Sequence, residues 1–318
     1  MDELLTVAGQ VAILFVLMAT GAAMRKARLL TDAAAEGMVN LLILIVTPCL
    51  IVDVFQRPFS PSMLKGLGIA FGIALLGHLA VIAAARLLVR HRDENVRRPM
   101  MLAAVFSNAG FMGIPLEQAV LGDSGVFYGI VYVAVFNLVM WSWGYRTMCG
   151  RESGNPESGI RAGGSRMKMF VNPGTVGIAF GLPLFFLSVK LPAIIGTPVH
   201  LIAGLNTPLA MIVIGYCLVA ARLGRVIRLS VVYVATGIRL IGYPLLMIAV
   251  MYPFRHVLDR DMMLALAIAS AAPVAAMVSM FATKFRRDVD TSVAVVSGST
   301  LLSIVTLPPV IALAMAVL

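Results

Sequence analysis

Apolar runs of about twenty residues, separated by short charged clusters, fill the chain from end to end. They lie near 4–24, 35–55, 66–89, 99–120, 125–146, 173–190, 199–220, 230–252, 262–283 and 291–316. Each is long enough to cross a hydrocarbon core of about 30 Å. Backbone groups in lipid have no water to bond, so such spans are helices that satisfy their own N–H and C=O groups. The pattern predicts an all-α integral membrane protein with ten transmembrane helices. The chain opens Met1-Asp2-Glu3, without the basic stretch of a signal peptide, so the first run is expected to be retained as a span.

Composition agrees. Of 318 residues, 60% are hydrophobic and 13% charged, against roughly 45–50% and about 25% in soluble domains. That excludes a soluble domain, a coiled coil and a disordered chain. Cys49, Cys149 and Cys217 form no CxxC pair, so neither a metal site nor a disulfide framework is expected. The net charge of +10 would point to nucleic acid if it formed one surface. It does not. Nineteen of the 25 Lys and Arg residues fall in loops after odd-numbered spans, clustered at Arg25–Arg28, Arg86–Arg98, Arg146–Lys168, Arg222–Arg228 and Lys284–Arg287. Five (Arg57, Lys65, Lys190, Arg255, Arg260) follow even-numbered spans, and Arg239 lies inside one. The positive-inside rule then makes the odd loops cytoplasmic and both termini extracytoplasmic, in a multi-pass protein of the cell (inner) membrane. The expected surroundings are membrane lipid, with no nucleic acid.

The Gly- and Ser-rich stretch 147–169 reads as a cytoplasmic linker between five spans in 1–146 and five in 170–318. Pro48 and Pro208 stand 160 residues apart, and Pro115 and Pro273 stand 158 apart. An odd number of spans per half turns the second copy upside down, giving an inverted repeat.

Two spans are interrupted. The fourth contains Phe106-Ser107-Asn108-Ala109-Gly110-Phe111-Met112-Gly113-Ile114-Pro115, and the ninth contains Ala269-Ser270-Ala271-Ala272-Pro273. Glycine loosens a helix, and proline removes a donor and clashes with the preceding turn. In lipid, such breaks persist where the backbone is buried in protein or lines a wet cavity. Paired interruptions in corresponding helices point to a transporter's midplane site.

The stretch Phe106–Pro115, followed by Gly122, resembles the fourth-helix signature of the auxin efflux carrier family. Similar segments are Asn40–Pro48, Asn206–Gly215, Arg239–Pro244, and the run from Ser270 and Pro273 through Thr300 and Pro308. The resemblance covers nearly the whole chain. It implies two inverted five-helix repeats whose broken helices 4 and 9 cross, as in bile-acid transporters and sodium-proton antiporters. It further implies a scaffold of spans 1, 2, 6 and 7, a moving remainder, a homodimer, and small organic acids such as malonate, malate or an auxin-like acid as substrates. Some members carry a polar residue shortly after the ninth-helix proline, where this chain has Ala275, Ala276 and Met277.

Charged side chains within spans are costly and few. Arg239, in the eighth span, can attract an anion or hold a neighbouring carboxylate. Ser107, Asn108, Gly110, Gly113, Pro115, Ser270 and Pro273 join it as candidate substrate-binding residues, with helix N-termini after Gly113 and Pro273 supplying amides for a carboxylate. Glu117, Asp53 and His78 are candidates for a coupling ion or proton. No cofactor is expected beyond coupling to protons or sodium. The expected function is a secondary carrier of a small organic anion working by alternating access. A membrane enzyme, a channel and a sensor are the alternatives. The chain has no HExxH, GxSxG or P-loop, and Ser62-Met63-Leu64-Lys65 is a weak SxxK match at a loop edge.

Overall fold

The computed structural model describes residues 2–149, 173–219 and 229–318, and all regular elements among them are helices. The linker from position 150 onward and the Arg222–Arg228 cluster lie outside the described residues. The helices are α1 (Asp2–Lys26), α2 (Asp32–Phe55), α3 (Pro61–Leu88), α4 (Glu94–Val105), α5 (Ala109–Cys149) and α6 (Pro173–Leu187). There follow α7 (Ala193–Val219), α8 (Ser230–Phe254), α9 (Arg260–Ala271), α10 (Met277–Lys284) and α11 (Val289–Val317). Six of these, α2, α3, α5, α7, α8 and α11, are long and apolar enough to cross a membrane. The fourth and ninth windows are each interrupted, which leaves α4 and α9 at 12 residues and α10 at 8.

The 41 residues of α5 are not one straight rod. Gly122 turns the chain at φ 65° and ψ −152°, a conformation that a side chain would oppose. One continuous helical stretch thus covers the end of the fourth window and all of the fifth.

Three prolines sit inside helices by a common device. Pro48, Pro115 and Pro244 each come two residues after a π turn (Leu42–Val46, Ala109–Gly113 and Ile238–Gly242). In each turn an amide reaches back five residues: Thr47 to Leu42, Ile114 to Ala109, Tyr243 to Ile238. The extra residue makes room for the proline ring and the carbonyl that lacks its donor, so the helix continues.

Close packing follows the glycines. α1 lies along the second half of α7 with backbones touching. A Cβ on Gly21 would come 1.9 Å from the Ile212 carbonyl oxygen, and one on Gly215 would come 1.8 Å from that of Met18. α6 lies on α2, with Gly177 against Pro48 and Ile51 and Gly181 against Phe55. Small residues at such crossings let membrane helices gain contact where no hydrophobic force favours association. Elsewhere α5 packs on α3 and α9, α8 on α4 and α9, and α11 on α4, α9 and α10.

Candidate functional site

The two interruptions meet. Phe106 and Ser107 leave α4 in extended conformation and run antiparallel to Pro273–Ala275. The Asn108 amide donates to the Pro273 carbonyl at 2.7 Å, and the Ala275 amide donates to the Phe106 carbonyl at 2.9 Å. The Val274 amide donates to Ser299 Oγ at 3.1 Å. Backbone groups freed by each break are thus satisfied by the other break and by α11, as burial in lipid demands.

The helix resumes at Ala109, earlier than the segment after Gly113 suggested in sequence. Met112 and Gly113 amides both bond the Asn108 carbonyl, so Gly110, Gly113 and Pro115 fall in the first turns of α5 and not in the break. Pro115 is accommodated by the π turn Ala109–Gly113 that precedes it. Gly110 faces open space, and Gly113 packs on the Ala269 backbone. The half-buried Asn108, Ala276 and Met277 flank the two helix starts, at Ala109 and Met277.

Arg239 is fully buried behind this crossing. Its Nη1 donates to the Val105 carbonyl at 2.8 Å, and its Nη2 donates to the Ser270 carbonyl. Val105 is the last residue of α4 and Ser270 the penultimate residue of α9. Both carbonyls belong to final turns, which lack amide partners and carry the negative end of the helix dipole. The guanidinium therefore caps two helices at once. No carboxylate among the described residues forms an ion pair with it.

A polar cluster extends from there. Ser107 Oγ donates to the Tyr132 hydroxyl at 3.3 Å, and the Tyr243 ring lies 4.7 Å from the Arg239 guanidinium carbon. His78 Nδ1 is 2.8 Å from the Ala74 carbonyl and 3.3 Å from the Tyr243 hydroxyl, while its Nε2 is buried without a partner. Ser270 Oγ turns back to the Ala267 carbonyl at 2.7 Å. Tyr132, Tyr243 and Ser299 were not among the sequence candidates. Tyr243 could have been found, since it stands four residues after Arg239, on the same helix face.

Two carboxylates part company. Asp53 pairs with His200 across α2 and α7 at 2.9 Å, at an exposed edge. Glu117 is wholly buried beside the crossing, and neither of its oxygens has a partner. Outside the spans, Glu94 opens α4 and bonds Arg98 and Arg97 at 2.8 and 2.7 Å. The Arg98 hydrogen bond, with help from Arg97, holds its carboxyl below the usual value.

A curated-protein comparison finds no match. A family model described as membrane transport protein matches residues 6–311, which takes in both breaks, Arg239 and Glu117. With a helical, membrane-length architecture organised around two interrupted helices, the chain belongs to this membrane transport protein family, that of the auxin efflux carriers.

Proposed function

We propose that this transporter is a secondary carrier of a small organic anion, working by alternating access with the α4–α5 and α9–α10 breaks as its site. In this reading the chain crosses ten times as two inverted five-helix repeats, in the cell (inner) membrane, with both termini outside and two copies in a dimer. The fourth crossing is α4 with the start of α5, and the ninth is α9 with α10.

The observation that carries the reading is the backbone pairing of Ser107 with Val274. It brings two helix starts, near Ala109 and Met277, to one place. Amides at helix starts attract a carboxylate without a cation in contact. Asn108 adds the nearest polar side chain on the α5 side, while Ala276 and Met277 make the opposite wall less polar. Arg239 acts through the backbone that it caps, so its part is to position the site. The packing of α1 on α7 and α6 on α2 supports a scaffold against which the rest moves.

Uptake of malonate, malate and indole-3-acetate into proteoliposomes tests this. The expected result is saturable uptake of at least one acid, accelerated by the same acid inside, which separates a carrier from a channel, and lowered by Asn108→Ala. No uptake of any of the three, or undiminished uptake by Asn108→Ala, overturns the proposal.

A further inference from the structure

We infer that Glu117 carries the coupling proton of this carrier, an assignment that rests on the carrier reading above. Glu117 lies on α5 eight residues past Ala109, between the break and the Gly122 turn. It is fully buried, and Oε1 and Oε2 both lack a hydrogen-bond partner.

The carboxyl occupies a niche made by glycine. A Cβ on Gly129, beyond the Gly122 turn, would stand 1.6 Å from Oε2 and 2.4 Å from the carboxyl carbon. A Cβ on Gly113 would stand 3.9 Å from Oε1 and 3.5 Å from the Ala269 Cα of α9. The fold thus sets aside space for a carboxyl that nothing polar receives.

The charged groups and histidines on the elements packed against this part of α5 are Lys65, His78 and Arg86 on α3, Arg260 and Asp261 on α9, Asp32, Glu36 and Asp53 on α2, His200 on α7, and Asp2, Glu3, Arg25 and Lys26 on α1. None of them forms an ion pair or hydrogen bond with the carboxyl. An ionised carboxylate without a partner is expensive in such surroundings, and the group neutralises instead. The niche accommodates the protonated acid.

A sodium ion there would need oxygen ligands beyond those of the carboxyl. A hard cation is held by several oxygen ligands, and Glu117 brings only its own two. No group of three or more His, Cys, Asp or Glu side chains gathers there or elsewhere among the described residues.

The step balances simply. In an open state, water on one side delivers a proton to a Glu117 oxygen. The neutral side chain then enters the niche as the site closes, and the proton returns to water on the other side. No bond other than O–H forms or breaks, and no redox partner is needed.

The test uses malonate, malate and indole-3-acetate in proteoliposomes with a trapped pH dye and the membrane potential clamped. The expected result is proton movement accompanying uptake, unchanged when sodium is replaced by potassium. One coupled proton and a gradient of about one pH unit correspond to a roughly tenfold drive for accumulation. Glu117→Gln, isosteric with the neutral acid, is expected to lose proton movement and pH-driven accumulation while retaining counterflow exchange. Gly129→Ala displaces the carboxyl and is expected to lower pH-driven accumulation relative to exchange.

Wild-type uptake that needs sodium or ignores the pH gradient overturns the inference without any variant, and leaves the carrier reading standing. So does pH-driven accumulation by Glu117→Gln at the wild-type level. Failure of wild type to move any of the three acids overturns the carrier reading, and this inference with it.

Discussion

Arg239 donates to the carbonyl oxygen of Val105 at 2.8 Å, and with its other terminal nitrogen it bonds the Ser270 carbonyl. Two helix C-termini, each the negative end of a dipole, are thereby held at one cation. Left alone, they would repel across a region with little water to screen them. Planar, forked and always charged, guanidinium suits two divergent acceptors better than an ammonium does. The π turn Ile238–Gly242 carries this arginine, so the same irregularity that admits Pro244 also presents the cap.

Replacing Arg239 separates charge from geometry. Lysine keeps a cation but reaches one carbonyl well, and glutamine loses the charge. Each buried carbonyl left unsatisfied costs about 1–3 kcal/mol. Thermal unfolding of the purified protein in detergent should therefore rank wild type above Arg239→Lys and Arg239→Lys above Arg239→Gln. A glutamine variant that melts with wild type would remove the double cap from the account.

The α1–α7 contact makes a second demand. Gly21→Ala and Gly215→Ala each drive a Cβ into a carbonyl of the facing helix, at 1.9 and 1.8 Å, where no flexible side chain can yield. Overpacking of this kind costs about 1–3 kcal/mol or more. Gly110→Ala meets nothing within 4 Å and should melt at or slightly above wild type. Unfolding temperatures of the three variants, measured together, decide whether the glycines act by close approach.

Much of this was legible in the chain. Hydropathy is a local signal, as are the glycine and proline of Asn108–Pro115, and together they marked the apolar helices and both breaks. Partners across the chain were not legible. Val105 and Ser270 bond Arg239 through backbone oxygens, which no residue type announces. The helix restarts at Ala109, earlier than Gly113 and Pro115 suggest, because a π turn absorbs Pro115, and glycine and proline alone cannot distinguish a break from a tolerated turn. Asp53 resembled a spare carboxylate until His200, 147 residues away, was brought beside it.

That pair should matter little to stability. The His200 side chain is 73% exposed, and the ion pair exists only while the imidazole is protonated. Exposed pairs contribute about 0–1 kcal/mol. Asp53→Asn is expected to shift unfolding by no more than this and to preserve uptake of whichever acid wild type carries. Loss of uptake with an unchanged melting temperature would move Asp53 into the transport machinery.

Glu94 supplies a stability effect with a defined pH sign. It sits in the first turn of α4, where negative charge is favoured, and Arg98 and Arg97 hold its carboxyl below the ordinary value. A carboxyl depressed in the folded state binds its proton less readily there than in the unfolded chain. Its contribution is therefore full above the unfolded value of about 4.3 and fades as pH falls through the folded value. The difference in melting temperature between wild type and Glu94→Gln should be constant near neutrality and shrink below about pH 4.3. With 43% of the side chain exposed, water screens the pair and the difference is small. Its sign still has a structural consequence. Glu94 anchors one end of α4, and Val105 at the other end holds Arg239, so acid that loosens the first turn works against the cap at the crossing. A gap between the two proteins that widens on acidification would contradict this ordering.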